Sequence, residues 1–443
     1  MTGAAPTILS ASAAGGGFRK HVTVVGAGLV GLASALWLQE FGHEVVVVDP
    51  SPPLGDDPWR HAASSGNACT FAPHGVVPVS TPGLAWRVPG MLLDPTSPLA
   101  IDWRYLPRLA PWLRAFLRAG REAEVQRIAA TLAALLDQAD SGWQPLYELS
   151  SAKHLLRHKG CLYLYRTEAE YEAGEYGNRL RERHGVRLTR LDAAQVRALE
   201  PNVAPLYHAG VLYEDAYTIH SPRQLGEALA QAFLAKGGSF IRGSATGLGS
   251  TRSLPQLSVD GARHTTEHIV VAAGAFSAGL ASQLGDHVLL DTERGYHVTF
   301  PEAADLVQRP VCFVRHGFYM TPMADGLRAA GTVEFGGLSA APNRVRSDVI
   351  ASEVARLLPA AGAAGKTWMG FRPSMPDSLP VIGSSPATSS ATYAFGHGHL
   401  GLTLAGVTGR LVAELVSGKA PHVDIRALGV DRFNRWGGRR KMA

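Results

Sequence analysis

Three glycines in Gly26-Ala27-Gly28-Leu29-Val30-Gly31 are spaced as GxGxxG, and an acid, Asp49, closes the next apolar run. Each residue has a separate physical task in binding a dinucleotide. Gly26 permits a tight turn, Gly28 lets diphosphate oxygens approach the backbone, and Gly31 lets a helix pack closely on the preceding strand. Free N–H groups and the helix dipole at such a turn attract a diphosphate. Asp49, followed by Pro50, would accept hydrogen bonds from ribose hydroxyls, which disfavours a 2′-phosphate. A glycine-rich turn without a ligand is the bland alternative, and the order strand, helix, strand, acid argues against it. NAD and FAD share the fingerprint, so the motif leaves that choice open. A second GxGxxG, Gly396-His397-Gly398-His399-Leu400-Gly401, has no strand with a terminal acid after it. It cannot head another complete unit. A helix N-terminus there could instead face the pyrimidine edge of an isoalloxazine ring, whose reduced form carries negative charge. The bland reading is a turn into a packing helix.

These loops need elements to hold them. HVTVV (21–25) and EVVVVDP (44–50) read as buried parallel strands, with a helix from Leu29 to Phe41 between them. Residues 51–100 are rich in Pro, Gly and Ser and read as long loop, and Asp102–Gln138 reads as helical. CLYLYR (161–166) alternates like a half-buried strand, Ser221–Ala235 reads as a helix opened by Ser-Pro, and HIVVAAG (268–274) as another strand ending in glycine. The stretch between about 288 and 336 suggests a separate mixed sheet, and TYAF (392–395) with Thr403–Ser417 a final strand and helix. The expected fold class is α/β: a discontinuous Rossmann-like lobe plus a mixed-sheet lobe. The expected boundaries are a disordered leader at 1–20, nucleotide-binding segments at 21–150, 221–285 and 366–443, and substrate segments at 151–220 and 286–365.

Composition narrows the classes. At 443 residues the chain exceeds one usual core. A net charge of +5 is too small to suggest nucleic-acid binding without a concentrated patch. Cys69, Cys161 and Cys312 are widely spaced and odd in number, which suits neither a disulfide framework nor a zinc site and favours a reducing, cytoplasmic setting. No apolar run is long enough to span a membrane. Residues 102–127 do combine Trp103, Tyr105, Trp112 and Phe116 with Arg104, Arg108, Arg114, Arg118, Arg121 and Arg127. That mixture suits a peripheral helix on an anionic membrane, at the inner face of the cytoplasmic membrane. Pro107 and Pro111 weigh against one continuous helix, and a packing or lid helix with a solvated basic face is the favoured reading.

Five blocks in order, HVTVVGAGLVGLASALWLQEFGHEVVVVD, SSGNACTFAPHGVVP, IVVAAGAFS, GFRPSMPDSLPVIG and YAFGHGHLGLTLAGVTGRLVAEL, resemble the D-amino acid oxidase, glycine oxidase and sarcosine oxidase superfamily, and bacterial D-amino acid dehydrogenases most. The resemblance runs from about His21 to Gly418. It implies non-covalent FAD held by Gly26 to Gly31 and Asp49, and by Ser64, Ser65, Gly66, Asn67 and Ala68 beneath the flavin. It also implies Ala245 near the adenine, Ala273 and Gly274 beside the cofactor, and Gly398, His399, Leu400, Gly401, Leu402 and Thr403 around the pyrimidine. No cysteine matches the position used for covalent attachment in some relatives. Arg372 matches the arginine that holds a substrate carboxylate, a task suited to a planar guanidinium. Tyr319 matches a pocket tyrosine, and Glu334 and His399 fall at pocket positions with different residue types. His399 stands where glycine oxidase has a second arginine. Tyr296 and His297 are expected beside the flavin, with a core tyrosine an equal alternative for Tyr296.

The activity so implied is FAD-dependent oxidation of D-amino acids, or of D-imino acids such as hydroxy-D-proline. Hydride passes from Cα to flavin N5, an imine and then a 2-oxo acid follow, and electrons go to a quinone-type acceptor. Arg372, Tyr319 and His399 form the expected catalytic set. No side-chain base is required once the amine is neutral, and His316, His397 and His399 are candidates for assisting its deprotonation. The alternatives are an oxygen-dependent glycine or sarcosine-type amine oxidase and a flavin-binding subunit of a multi-subunit enzyme. Arg372 argues against the subunit, since a silent chain needs no carboxylate clamp.

Overall fold

The computed structural model describes residues 19–433, apart from 61, 85–87, 89, 91–96, 98, 252 and 253. The expected leader therefore lies outside the described residues except at Arg19 and Lys20.

A six-stranded sheet takes its strands in the order Ser239–Arg242, Glu44–Asp49, His21–Val25, His268–Val271, Ala391–Phe395 and Val381–Ser384. All pairs are parallel except the last. The β-branched runs suit such a sheet because both faces are buried. Val22, Val24, Val45, Val47 and Val270 pack into one core, and Val25, Val48, Ile269 and Val271 into another. The helices Leu29–Glu40 and Ala139–Leu149 flank the helix Gly401–Val416 on the first face. Side chains are excluded where these helices meet. A Cβ on Gly409 would stand 2.6 Å from the Ala33 carbonyl oxygen, and one on Gly406 would stand 2.5 Å from the Gly142 carbonyl carbon. The other face carries a three-stranded antiparallel meander, Ala245–Thr251, Leu254–Val259 and Ala262–Thr265.

A second, mixed sheet runs Thr367–Ser374, Asp291–Phe300, Gly326–Phe335, Phe318–Met323, Val311–Phe313, Cys161–Tyr165, Ala209–Tyr213 and Leu188–Asp192, with Leu99–Ile101 joined to Gly326–Phe335. Two expectations need correction here. The sheet read between 288 and 336 is not separate, because Val311–Phe313 pairs in parallel with Cys161–Tyr165. Thr367–Ser374, grouped by sequence with the nucleotide-binding segment 366–443, instead pairs with Asp291–Phe300 at the edge of this second sheet. Chain position says nothing about which edge offers free backbone groups, and the pairing decides the layer.

The helical run expected over Asp102–Gln138 is interrupted at Gly120 into Leu106–Ala119 and Glu122–Asp137. Pro107 occupies the first turn of the first helix, where no N–H partner is lost. The loop expected over 51–100 contains a short 3-10 turn, Ala63–Gly66, and the two-residue strand Thr70–Phe71.

Candidate active site

A cavity of about 910 Å³ lies where the two sheets meet, at the C-terminal ends of the parallel strands. Gly26, Gly28, Leu29, Val30, Asp49 and Pro50 line one end. Gly26 takes a φ of 107°, and a Cβ on it would stand 2.4 Å from the Ala272 carbonyl oxygen. On Gly31, which does not line the cavity, a Cβ would stand 1.9 Å from the Gly26 carbonyl oxygen. Both glycines are required by the fold itself. Gly28 differs, because the nearest protein atom to its Cβ would be Ser64 Oγ at 3.6 Å, an ordinary contact. The protein leaves that space for something else. Asp49 is fixed by two backbone donors, Ala27 N–H at 2.7 Å and Ser51 N–H at 2.8 Å. Ala27 acts through that bond and is not itself a lining residue.

The loop beneath carries Ser64, Gly66, Asn67 and Ala68 on the cavity wall. Ser64 Oγ accepts the Leu29 N–H at 3.2 Å, closing the loop onto the helix start. Ser65 faces elsewhere: its hydroxyl donates to the Ala62 carbonyl. Arg328 Nη1 donates to the carbonyl oxygens of Ser65 and Asn67 at 3.1 and 3.2 Å, and His297 Nδ1 donates to that of Gly66 at 3.0 Å. The second sheet thus holds the loop by its backbone. His297, expected beside the flavin, is therefore buried behind Gly66, stacked on Trp368 with centroids 5.1 Å apart. Burial, with Arg328 nearby, pushes its imidazole down to about 4.

Ala245, Ala273 and Gly274 line the cavity, as do Gly398, His399, Leu400, Gly401 and Leu402 at the other helix start. A Cβ on Gly398 or Gly274, both at positive φ, would meet no protein atom within 4 Å. Thr403 departs from expectation, since its Oγ1 accepts the Ala72 N–H at 3.0 Å and ties down a loop. Neither helix start carries a side-chain cap at its N-cap residue, Gly28 or Leu400. An uncapped start at Gly401–Val416 and open glycine backbone at Gly28, Gly274 and Gly398 are what a flavin pyrimidine and a diphosphate would use, so the residues present fit FAD.

Arg372 lies opposite Glu293 in the antiparallel register. A Cβ on Gly295 would stand 2.5 Å from Arg372 Nη2, so this glycine leaves the guanidinium its place across the strand. Glu293 Oε2 accepts from Arg372 Nη1 at 3.4 Å and from His399 Nε2 at 3.0 Å. Burial opposes the charge on Glu293, but His399, Arg372 and the Ser374 hydroxyl outweigh it and hold the carboxyl at about 2. Tyr319 lines the same space with its hydroxyl 2.5 Å from that of Tyr163. Burial raises both phenols well above their ordinary range, so they stay neutral. His397 also lines the cavity, but it bonds Thr408 Oγ1 at 2.9 Å and burial takes it down to about 3.

Glu334 does not reach the cavity. It accepts from the Tyr296 hydroxyl and from Asn343 Nδ2 at 3.1 Å, and it pairs with Arg294 at 3.3 Å. Residue types explain the correction: Arg294 is almost wholly buried and needs a counter-ion, which Glu334 supplies. Tyr296 contributes to the lining, yet its hydroxyl belongs to this structural network. His316 sits away from the site, beside Glu353 and Arg356.

Among the residues that were not anticipated are Glu293, Tyr163 and Arg328, and also Arg181; Glu293, Tyr163 and Arg181 line the cavity. Glu293 had one available signal, its place two residues before Gly295, but only the register with Arg372 gives it meaning. Among the described residues no cluster of acids, histidines and cysteines could hold a metal ion, and no helix is long and apolar enough to cross a membrane.

Comparison with known proteins agrees with this geometry. Residues 21–415 match a family model described as FAD dependent oxidoreductase. A protein of Bradyrhizobium diazoefficiens named D-amino-acid oxidase is 38% identical over 421 residues, covering 94% of this chain and 99% of the relative. One of Paramagnetospirillum magneticum named D-amino acid dehydrogenase is 31% identical, with 94% and 99% covered. In architecture the chain is similar to glycine oxidase from Geobacillus kaustophilus, with a TM-score of 0.71 at 21% identity, covering 96% of this chain and 100% of that one.

Proposed function

The chain belongs to the FAD-dependent oxidoreductase family, and from that premise we propose that it oxidises D-amino acids at Cα. The observation that carries this reading is Arg372, laid across Gly295 in the cavity that also holds the dinucleotide turn. The names of the two full-length relatives support the D configuration.

FAD, when bound, supplies the hydride acceptor. The protein's own residues then bind, orient and exclude water. Arg372 holds the substrate carboxylate by charge-assisted hydrogen bonds that fix the direction of the Cα–H. Glu293, ionised and buried, keeps the guanidinium in place and accepts from His399. Tyr163 and Tyr319, being neutral, can meet the rest of the substrate without repelling its carboxylate. No side chain need take the Cα proton if a neutral amine loses hydride, and the resulting imine hydrolyses to a 2-oxo acid. A D-imino acid such as hydroxy-D-proline would give a cyclic imine by the same step.

For the acceptor we keep a quinone-type molecule as the first reading. The name of the Bradyrhizobium relative favours a second, oxygen, and peroxide yield under air separates the two. Contact with a membrane would have to use the exposed face of Leu106–Ala119 and the turn before it. That face presents Arg104, Arg108, Arg114 and Arg118 with Trp103 and Leu117, whereas Trp112 is buried. Such a contact would be mainly electrostatic, and low-salt sedimentation with anionic liposomes tests it. The central test is anaerobic titration of the holoenzyme with D- and L-amino acids and N-methyl amines while flavin absorbance is followed. Bleaching by D-amino acids supports the reading. Bleaching by L-enantiomers only, or by none of the amino acids, would sink it.

A further inference from the structure

Among the described residues, Arg181 lines the cavity without a carboxylate partner after Arg372 and Glu293 have met. Arg181, on the helix Glu168–Arg183, lines the same space as Arg372 and Tyr319. Its Nε–H donates to the His74 carbonyl oxygen at 3.0 Å. Its guanidinium carbon stands 5.0 Å from the ring centre of Tyr213 and 5.9 Å from that of Tyr163. His74 stacks on Tyr213 with centroids 4.3 Å apart, so the rings that support Arg181 are themselves fixed. The Tyr163 hydroxyl in turn meets the Tyr319 hydroxyl. Arg181 thus has one neutral acceptor and aromatic faces as partners, and among the described residues no carboxylate pairs with it.

Aromatic faces offset only part of the cost of withdrawing a guanidinium from water. A planar cation held at its Nε–H, with no hydrogen bond to its terminal N–H groups among the described residues, is suited to receive a carboxylate through parallel hydrogen bonds. Glu293 already offsets part of the charge on Arg372, so a dianionic ligand would gain from a second cation in the same cavity.

We propose that Arg181 binds a second carboxylate on the substrate, so that the cavity prefers dicarboxylic D-amino acids such as D-aspartate and D-glutamate. This rests on the reading that the cavity oxidises D-amino acids with the α-carboxylate on Arg372. Tyr163 and Tyr319 can donate to the second carboxylate without adding charge.

Two measurements on the holoenzyme test it. In the first, flavin absorbance is titrated with glutarate, succinate and butyrate, none of which can be oxidised as an amine. A dicarboxylate should bind about tenfold or more tightly than butyrate. In the second, Arg181→Met should lower the ratio of kcat/KM for D-glutamate or D-aspartate over D-alanine by about 100-fold, with partial recovery in Arg181→Lys. Dicarboxylates binding no better than butyrate, or an unchanged ratio, would overturn the proposal. The first titration needs no variant and stands if Arg181→Met fails to fold. Flavin bleaching by D-alanine alongside weak dicarboxylate binding removes the second subsite and leaves the D-amino acid reading intact. Tight dicarboxylate binding with no bleaching by any D-amino acid does the reverse, and supports Arg181 as an anion-binding group.

Discussion

Removing Arg372 should do more harm than the loss of one clamp, because it strands a buried carboxylate. At the 3.4 Å separation of Arg372 Nη1 and Glu293 Oε2, an effective dielectric constant near 20 gives a gross attraction of about 5 kcal/mol. In Arg372→Met the substrate carboxylate loses a charge-assisted pair of about 3 kcal/mol, or more than 100-fold in affinity. It also faces Glu293, still ionised and now balanced only by His399. A like-charge penalty of about 1.4 kcal/mol would add roughly another tenfold. The double variant Arg372→Met/Glu293→Gln removes that second penalty while leaving the first. It should therefore bind D-alanine about tenfold more tightly than Arg372→Met alone, although it carries one more lesion. Anaerobic stopped-flow reduction measures this directly, since it separates the substrate Kd from the limiting rate of flavin reduction. If the double variant is as weak as the single one, Glu293 exerts no field at the substrate. If Arg372→Met itself leaves Kd unchanged, the clamp is elsewhere.

Two glycines of the first turn should separate by role. Gly31→Ala should destabilise the apoprotein by about 1–3 kcal/mol, since its Cβ has backbone oxygen 1.9 Å away, and thermal unfolding without cofactor reads it. Gly28→Ala should leave apoprotein melting nearly unchanged and weaken FAD binding instead, as measured by cofactor titration. Arg328→Met should loosen the loop under the cofactor through two lost charged hydrogen bonds, raising the FAD Kd by about tenfold or more. His297 gives a pH signature. Burial depresses its folded value to about 4, below the ordinary imidazole value of 6.5. The unfolded chain therefore takes up the proton first, and stability is lost as pH falls through that window. By pH 5 this one group should cost about 2 kcal/mol relative to pH 7, so the drop in unfolding free energy between those pH values should shrink by that amount in His297→Gln.

Local patterning made the nucleotide half legible. Strand, glycine turn, helix, strand and Asp49 are contiguous, so the requirements on each residue come from neighbours within the same short stretch. The second glycine turn, ahead of the helix Gly401–Val416, was visible for the same reason. Arg372 and Tyr319 could be marked by resemblance, and both line the cavity. Glu334 and His297 could not be placed from sequence, because the direction of a strand residue depends on register and on which partner needs its charge or its hydrogen bond. Glu334 went to the buried Arg294, and His297 to the Gly66 carbonyl.

What the chain determined alone was the chemistry of its turns and the apolar runs that carry them, since glycine conformations and β-branched strands act over a few residues. The tertiary structure decided the charges in the cavity. Glu293 meets Arg372 only because Thr367–Ser374 pairs antiparallel to Asp291–Phe300. Arg181 joins them from a different segment, turned inward by the His74 carbonyl and two tyrosine rings. Electrostatic environment depends on distance through space and on exclusion of water, and neither quantity is a function of separation along the chain.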